Sequence, residues 1–320
     1  MARYVGVDLG ATNVRAIVGG DDGAVLGRDR RPTPQGPGVD VTEAVLGAVR
    51  AACGAAGVDP TEVAAAAVGS FGPLDRSAGT VTDPANLSDS VGTVRLIDPL
   101  GDLLDAPVSL HNDATAGVVG ERFHAANDLD DVVYLTVSSG IGAGVCVDGH
   151  VLSGVDGNAG EVGHLTLDPD GEMACGCGGR GHWEAYCSGR GIPRYARHLH
   201  GDEATDLPLS APEFSAADVF AAAGEDAFAD RVIEAVAEWN ALGVATVVDA
   251  YAPAVVSLGG AVALKNPDLV VGPLRERVPD LVVSNVPEIR LAALGEDAVL
   301  KGALASATTA GTGDRRRRER

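Results

Sequence analysis

Lysine is almost absent from this sequence. Of its 320 residues only Lys265 and Lys301 are lysines, and 45 acidic residues against 24 basic ones leave a net charge of −21. A nucleic-acid-binding protein needs a basic face to meet the phosphate backbone, so this composition argues against DNA or RNA as a ligand. An excess of carboxylates is typical of a protein that stays soluble in strong salt, where screening removes most repulsion between like charges. We therefore predict a halophilic protein, with an ordinary acidic cytosolic protein as the alternative.

Cysteine is scarce as well, and long apolar runs are missing. Five cysteines in 320 residues do not make a disulfide framework. The first 18 residues lack the basic start and the apolar stretch of a signal peptide. No segment approaches the ~18 consecutive apolar residues that indicate a membrane span. The sequence therefore predicts a cytoplasmic protein with reduced thiols and no membrane partner.

A strand–glycine turn–strand pattern occurs twice. Residues 4–9 and 14–20 form the first copy, and residues 132–149 form the second. The recurrence predicts two similar α/β lobes that each begin with a hairpin, in a chain long enough for two packed domains. Thr42 is a plausible N-cap of the first helix. Helical spacing covers residues 41–56, 114–126, 215–249 for the most part, and 297–308, and further strands are predicted at 64–72 and 255–262.

Glycine loops follow apolar strands at DLGAT (residues 8–12) and SSGIGAG (residues 138–144). Glycine lets backbone N–H groups approach an anion, hydroxyls add donors, and Asp8 could hold a hydrated Mg²⁺. Neither loop is a Walker A or Rossmann sequence, and each alone could be a plain hairpin turn. Together with the Gly259-Gly260 pair they predict a nucleotide held between two lobes. The residues predicted to line the nucleotide site are Asp8, Gly10, Thr12, Ser139, Gly140, Gly142, Gly259 and Gly260.

Asp113 stands where a predicted strand gives way to a helix, in HNDATAG. Phosphoryl transfer requires an aligned hydroxyl, Mg²⁺ on the phosphates and a carboxylate that takes the proton, and Asp113 could supply that carboxylate. The alternative is that Asn112 or Asp113 only caps the following helix.

Potential metal ligands are concentrated between residues 164 and 182. Cys175 and Cys177 are closer in sequence than the cysteines of most structural zinc sites, but His164 and His182 complete a set of four nitrogen and sulfur donors. We predict a Cys₂His₂ zinc site that is structural, because four protein ligands leave no open position. The alternatives are a reduced loop with idle thiols, or Cys187 in place of His182.

Taken in order, the motifs DLGATN, HNDATAG, SSGIGAG, AGEVGH, CGCGGRGHWE and SLGG resemble those of the ROK family of sugar kinases. The resemblance covers residues 4 to 308 and implies a two-lobed α/β fold of the actin/hexokinase-like (ribonuclease H-like) ATPase type. Each lobe would be a mixed β-sheet flanked by helices, with a small zinc-binding loop. The expected parts are a smaller N-terminal lobe of residues 1–113 plus 299–310, a larger lobe of residues 114–298 with the zinc loop at 164–182, and a basic disordered tail at 311–320.

The resemblance also assigns roles to individual residues. It makes Asp113 the catalytic base and lets Asn112 hold a sugar hydroxyl. Sugar binding is further assigned to Asn86, Glu161, His164 and Glu184. The chain departs from the family pattern twice: Ala85 separates Pro84 from Asn86, and His182 stands where the family usually has a third cysteine.

The function that these assignments imply is ATP-dependent phosphorylation of glucose at its 6-hydroxyl, with ATP, Mg²⁺ and structural Zn²⁺ as cofactors. The acceptor could instead be fructose, mannose or an N-acetylhexosamine, and the donor another nucleotide or polyphosphate. A sugar-sensing regulator of the same family would carry a DNA-binding domain before the first glycine loop, which here begins at residue 10. The resemblance further implies a homodimer or homotetramer.

Overall fold

The computed structural model describes residues 2–314, apart from residues 83, 85, 86, 89, 126–128 and 156. The chain divides into two compact units. Unit 1 comprises Met1–Asp130, Gly144–Gly160 and Asp297–Arg320, and unit 2 comprises Asp131–Ala143 and Glu161–Glu296. The predicted lobe boundary at residue 113 stays a prediction, and most of the predicted basic tail lies outside the described residues.

Strands and helices alternate along much of the chain. The strands are β1 (Arg3–Leu9), β2 (Asn13–Gly19), β3 (Val25–Pro32), β4 (Val63–Ser70), β5 (Leu74–Asp75), β6 (Thr80–Thr82), β7 (Thr93–Arg95), β8 (Val108–Asn112), β9 (Val132–Val137), β10 (Ile141–Val147), β11 (His150–Val151), β12 (Val255–Gly259) and β13 (Glu288–Leu291). The α-helices are α1 (Gly38–Ala56), α2 (Ile97–Leu104), α3 (Asp113–His124), α4 (Trp183–Cys187), α5 (Gly191–Leu199), α6 (Ala216–Ala221), α7 (Ala227–Tyr251), α8 (Ala261–Lys265), α9 (Pro267–Arg277) and α10 (Ala298–Thr309). The predicted α/β class is confirmed.

The sheet of unit 1 has the strand order β3-β2-β1-β4-β8. β1 pairs antiparallel with β2, as the glycine turn predicted, and parallel with β4, which in turn pairs parallel with β8. Alternate residues of a strand point to opposite faces, and β1 sends Val5 and Val7 into the core cluster that includes residues of α1. On the other face Gly6 approaches α10 so closely that a Cβ there would lie 2.5 Å from the backbone nitrogen of Leu304. Helices therefore cover both faces of this sheet.

Helix α1 begins earlier than the sequence pattern predicted. Thr42 does not cap it, because the helix already starts at Gly38, and the Thr42 hydroxyl donates within the helix to the Gly38 carbonyl and outside it to the Arg95 carbonyl. A Cβ on Gly38 would lie 2.0 Å from the carbonyl oxygen of Thr93. The start of α1 is therefore set by its packing against β7.

Glycines allow α3 and α10 to cross at short range. A Cβ on Gly302 of α10 would lie 1.8 Å from the carbonyl oxygen of Ala116 in α3. We expect Gly302→Ala to destabilise the protein by about 1–3 kcal/mol, because the methyl group must force the helices apart. Gly54→Ala in α1 is the matched control, since no atom of the described residues lies within 4 Å of the added Cβ and alanine favours a helix. Urea unfolding of the two variants tests this, and equal stability would contradict the packing described here.

The second sheet has the strand order β11-β10-β9-β12-β13, with β9, β12 and β13 parallel. The strand predicted at 255–262 ends at Gly259, because Gly260 has a φ of 84° and is the N-cap of α8. The long helix α7 is capped by Asp226, whose carboxylate accepts from the N–H groups of Phe228 and Ala229. Among the described residues, no helix combines the length and the apolar composition that crossing a membrane requires.

Candidate functional site

The four predicted metal ligands lie together in unit 2. One donor atom from each of His164, Cys175, Cys177 and His182 lies within 4.8 Å of the other three. The Cys175 Sγ is 3.7 Å from the His164 Nδ1, and the Cys177 Sγ is 3.3 Å from the His182 Nδ1. The structure therefore brings together the four side chains that the sequence singled out.

This cluster fits a tetrahedral zinc ion. With zinc–sulfur bonds of ~2.3 Å and zinc–nitrogen bonds of ~2.0 Å, neighbouring ligand atoms would be about 3.3–3.8 Å apart. The Cys175–His164 and Cys177–His182 pairs, at 3.7 and 3.3 Å, lie in this range. Cys187 is not part of the cluster: it is fully buried, and its thiol points to the Val236 carbonyl at 3.4 Å. The alternative in which Cys187 replaces His182 is therefore wrong.

The loop between the ligands is shaped by hydrogen bonds of the protein itself. Isolated bridges pair Thr166 with His182 and Ala174 with Arg180. The buried carboxylate of Asp168 accepts from the Tyr186 hydroxyl, and this bond holds the pKa of Asp168 below its ordinary value. The loop is consequently fastened to α4, the helix that follows the ligands.

Helix α4 is in turn anchored on α7. The indole of Trp183 is buried and donates to the Asn240 Oδ1 at 3.0 Å. A Cβ on Gly243 would lie 2.3 Å from the same indole, so only glycine permits this approach. The position of Glu184, the residue after Trp183, is therefore fixed by the core of unit 2.

Both predicted sugar-binding glutamates of this region lie beside the cluster. The Glu161 Oε2 is 3.9 Å from the His164 Nε2, the ring nitrogen that is not directed at Cys175. The Glu184 Oε1 is 4.0 Å from the Cys175 Sγ. A half-buried imidazole and two carboxylates thus lie together, and such groups accept hydrogen bonds from the hydroxyls of a polyol.

The second glycine loop, residues 138–142, follows β9. It closes as a tight turn in which the Ser138 N–H donates to the Gly140 carbonyl at 2.9 Å, and Ser139 is exposed at its tip. A Cβ on Gly140 would lie 2.5 Å from the Glu184 Oε2, so a side chain there would displace that carboxylate. Gly260 lies at the same end of the sheet, since a Cβ on it would be 2.4 Å from the carbonyl oxygen of Val137.

In unit 1 the first glycine loop joins β1 to β2. The Gly10 N–H donates to the Asn13 carbonyl at 3.0 Å, and the Thr33 hydroxyl donates to the Gly10 carbonyl at 2.7 Å. Asp8 lies opposite Arg15 in the hairpin register and accepts two hydrogen bonds from its guanidinium through Oδ2, at 2.8 and 2.5 Å. Burial nevertheless raises the pKa of Asp8 above its ordinary value.

Asp113 lies at the edge of the unit 1 sheet where Gly10 also lies. Leu9, Ser70 and Asn112 are in register across β1, β4 and β8, so the residues after them share the carboxyl end of the sheet. Asn112 is the N-cap of α3, and its Oδ1 accepts from the Ala114 N–H at 2.8 Å. Asp113 is the first residue of the helix, and its Oδ1 accepts from the same N–H at 2.7 Å.

His111, which precedes this pair, is buried and bonded to α10. Its Nε2 is 2.7 Å from the Ser306 Oγ. Burial, and secondarily the charge of Arg76, lowers the pKa of His111 from 6.5 to about 4. The folded state thus keeps this imidazole neutral at pH values where the unfolded chain already protonates it.

This pKa shift predicts an acid-dependent loss of stability. Because the pKa of His111 is lower in the folded state than in the unfolded chain, the neutral imidazole contributes to the unfolding free energy. This contribution is fully present above pH 6.5 and is lost as the pH falls towards 4, by about 3 kcal/mol in total. We expect His111→Gln to remove that part of the pH dependence of the unfolding free energy. Urea unfolding at pH 7.0 and 4.5 measures it, with His150→Gln at an exposed position as the control. An unchanged difference between the two pH values in His111→Gln would contradict the assignment.

One predicted site residue lies outside the part of the chain that the structure describes, and two interaction partners were not predicted. Asn86 lies outside the described residues. The partners that sequence reasoning missed are Arg15, which pairs with Asp8, and the backbone N–H of Ile141, which donates to the Glu184 Oε2 at 2.9 Å. Hairpin register could have suggested the first, whereas the second joins residues 43 positions apart.

The family model for the ROK family matches residues 4–310 of the chain. The chain is similar to a glucokinase of Pyrobaculum calidifontis, with 36% identity over 96% of this chain and 95% of that one. Among solved structures it is similar to a ROK hexokinase from Thermus thermophilus, with 35% identity, a TM-score of 0.82 and coverage of 95% of this chain and 97% of that one. It is also similar to a ROK family glucokinase from Streptomyces griseus in complex with glucose and AMPPNP, with 29% identity, a TM-score of 0.76 and coverage of 96% and 99%.

Proposed function

This chain belongs to the ROK family and is an ATP-dependent hexose kinase of the actin/hexokinase-like fold, and we propose that its acceptor is glucose, phosphorylated at the 6-hydroxyl. The observation that carries this proposal is that Glu161 and Glu184 lie beside the four metal-ligand side chains, one of which is His164. The relatives named glucokinase support glucose over other hexoses.

We assign the metal cluster a structural role in sugar binding. A zinc ion bound there would supply a fixed charge that holds its two thiolates and two imidazoles. His164 would bind the ion through Nδ1 and offer Nε2, on the Glu161 side, to a sugar hydroxyl. Burial raises the pKa of Cys175, and a thiol must lose its proton to bind zinc, so metal binding becomes weaker in acid.

The reacting groups are assigned as follows. Asp113 would take the proton of the 6-hydroxyl as that oxygen attacks the γ-phosphorus of ATP. Asn112 accepts through Oδ1 in the helix cap, which leaves its amide nitrogen as the donor to a sugar oxygen. Asp8 would hold Mg²⁺ through water, because its Oδ2 is already paired with Arg15. Gly10, Thr12 and the loop at 138–142 would contact the phosphates, and Gly259-Gly260 the adenosine.

A coupled assay over a panel of hexoses and phosphate donors, run in multimolar KCl, tests the proposal. We expect glucose with ATP and Mg²⁺ to give the highest kcat/KM, and the acidic composition predicts higher activity in strong salt. The competing acceptors are fructose, mannose and N-acetylhexosamines, and the competing donor is polyphosphate. A higher kcat/KM for one of these would replace the substrate assignment, and no phosphorylation of any hexose would refute the proposed function.

A further inference from the structure

The segments that carry the metal ligands also hold the glycine loop at residues 138–142. The Glu184 Oε2 accepts from the Ile141 N–H at 2.9 Å, and the Gly189 N–H donates to the Ser138 carbonyl at 2.6 Å. On the other side Gly163 touches the loop, since a Cβ there would lie 2.2 Å from the Ile141 carbonyl oxygen. All of these atoms belong to unit 2.

Two of these contacts come from residues within two positions of metal ligands. Gly163 precedes His164 directly, and Glu184 follows His182 by two residues. The second carboxylate oxygen of Glu184 faces the Cys175 Sγ at 4.0 Å, so one side chain reaches both the cluster and the loop. If these ligands moved, the backbone of the loop would therefore have to move as well, because Gly163 and Glu184 contact it directly.

Two glycines make the closest approaches in this contact. At Gly140 and Gly163 a Cβ would lie 2.5 Å or less from Glu184 or from the Ile141 backbone. Packed interfaces of this kind shift as a unit rather than deform gradually. The conformation of the glycine loop thus depends on its contacts with the metal-ligand segments as well as on its internal hydrogen bond.

We propose that Gly163, Glu184 and Gly189 position the glycine loop for the phosphates of the donor, so that metal binding and nucleotide binding are thermodynamically coupled. The proposal rests on the proposed function, which assigns the loop to the donor phosphates. Loss of zinc then weakens nucleotide binding even when no sugar is present. Coupling is reciprocal, so the nucleotide strengthens zinc binding by the same factor, for which we expect about tenfold.

Calorimetric titration with a non-hydrolysable ATP analogue and Mg²⁺, without sugar, measures this coupling. Zinc-loaded protein is expected to bind the analogue about tenfold more tightly than zinc-stripped protein that circular dichroism shows to be folded. In the reverse experiment, saturating analogue is expected to lower the dissociation constant for zinc by an equal factor.

Gly189→Ala tests the same contact without touching a metal ligand. The added Cβ would lie 2.9 Å from the Ser138 carbonyl oxygen and must displace the loop. We expect this variant to keep one zinc per chain, to bind the analogue about tenfold more weakly, and to lose most of the difference between its loaded and stripped forms. Gly272→Ala in α9 is the matched control, because its Cβ would have no neighbour within 4 Å in the part of the chain that the structure describes.

The outcomes separate this proposal from the proposed function. Equal analogue affinity with and without zinc, or unchanged affinity in Gly189→Ala, would overturn the coupling while glucose phosphorylation by the loaded enzyme still supports the kinase. Zinc-loaded protein that binds no analogue would overturn both. If stripping unfolds the protein, the zinc-loaded Gly189→Ala and Gly272→Ala variants decide the question by themselves.

Discussion

Replacing Asp113 with asparagine is expected to lower kcat for glucose phosphorylation by ~10²–10⁴-fold, with a much smaller change in glucose affinity. General-base catalysis contributes about that much to rate, and the amide cannot accept the proton of the 6-hydroxyl. The fold should survive, because Asn112 provides the N-cap of α3 through its own Oδ1. Steady-state kinetics together with glucose binding measured by calorimetry separates the two effects.

Asp40→Asn is the matched control for this prediction. Asp40 lies in the first turn of α1, as Asp113 lies in the first turn of α3, but it is exposed and has no assigned role in the site. It should therefore leave kcat within about twofold, since surface changes of this kind have small effects. Equal losses of kcat and glucose affinity in Asp113→Asn would argue that Asp113 only caps the helix or binds the sugar.

Cys177→Ser is expected to abolish stoichiometric zinc binding and to raise the KM for glucose about 10- to 100-fold. The exposed thiol of Cys177 lies 3.3 Å from the His182 Nδ1, closer than the Cys175 Sγ lies to the His164 Nδ1. Substitutions that disturb a metal site commonly lower metal affinity or activity by about 10- to 100-fold. Zinc content by atomic absorption and glucose KM in the same preparation measure both effects.

Two further variants show whether the loss belongs to this site. His182→Cys should keep one zinc per chain, because thiolate and imidazole both serve as zinc ligands. Cys53→Ala, at a buried cysteine of unit 1, should leave zinc content unchanged. Full glucose affinity in zinc-free Cys177→Ser would show that the metal does not shape the sugar site.

Local patterns predicted the parts of the fold and the site that depend on neighbours in sequence. The glycine turn after Leu9 marked the β1–β2 hairpin, and the strand-to-helix junction placed Asp113 at the start of α3. Four donors within 19 residues are enough to predict that these His and Cys side chains lie together, because the intervening loop is short and rich in glycine.

Contacts between distant segments could not be predicted in this way. The start of α1 depends on how closely Gly38 approaches Thr93, and the burial of His111 depends on Ser306 in the last helix. The hydrogen bond between Glu184 and the Ile141 N–H likewise requires the packing of α4 on α7 through Trp183. Such contacts are set by tertiary packing, which carries no local sequence pattern.

The most direct test of a hexose kinase whose sugar site is held by zinc is a titration of zinc back into the stripped protein. The rate of glucose 6-phosphate formation from ATP and glucose would be followed at subsaturating glucose. The account predicts that the rate rises in proportion to bound zinc and levels off at one zinc per chain. Full activity in verified zinc-free protein, or no glucose 6-phosphate at any zinc content, would contradict it.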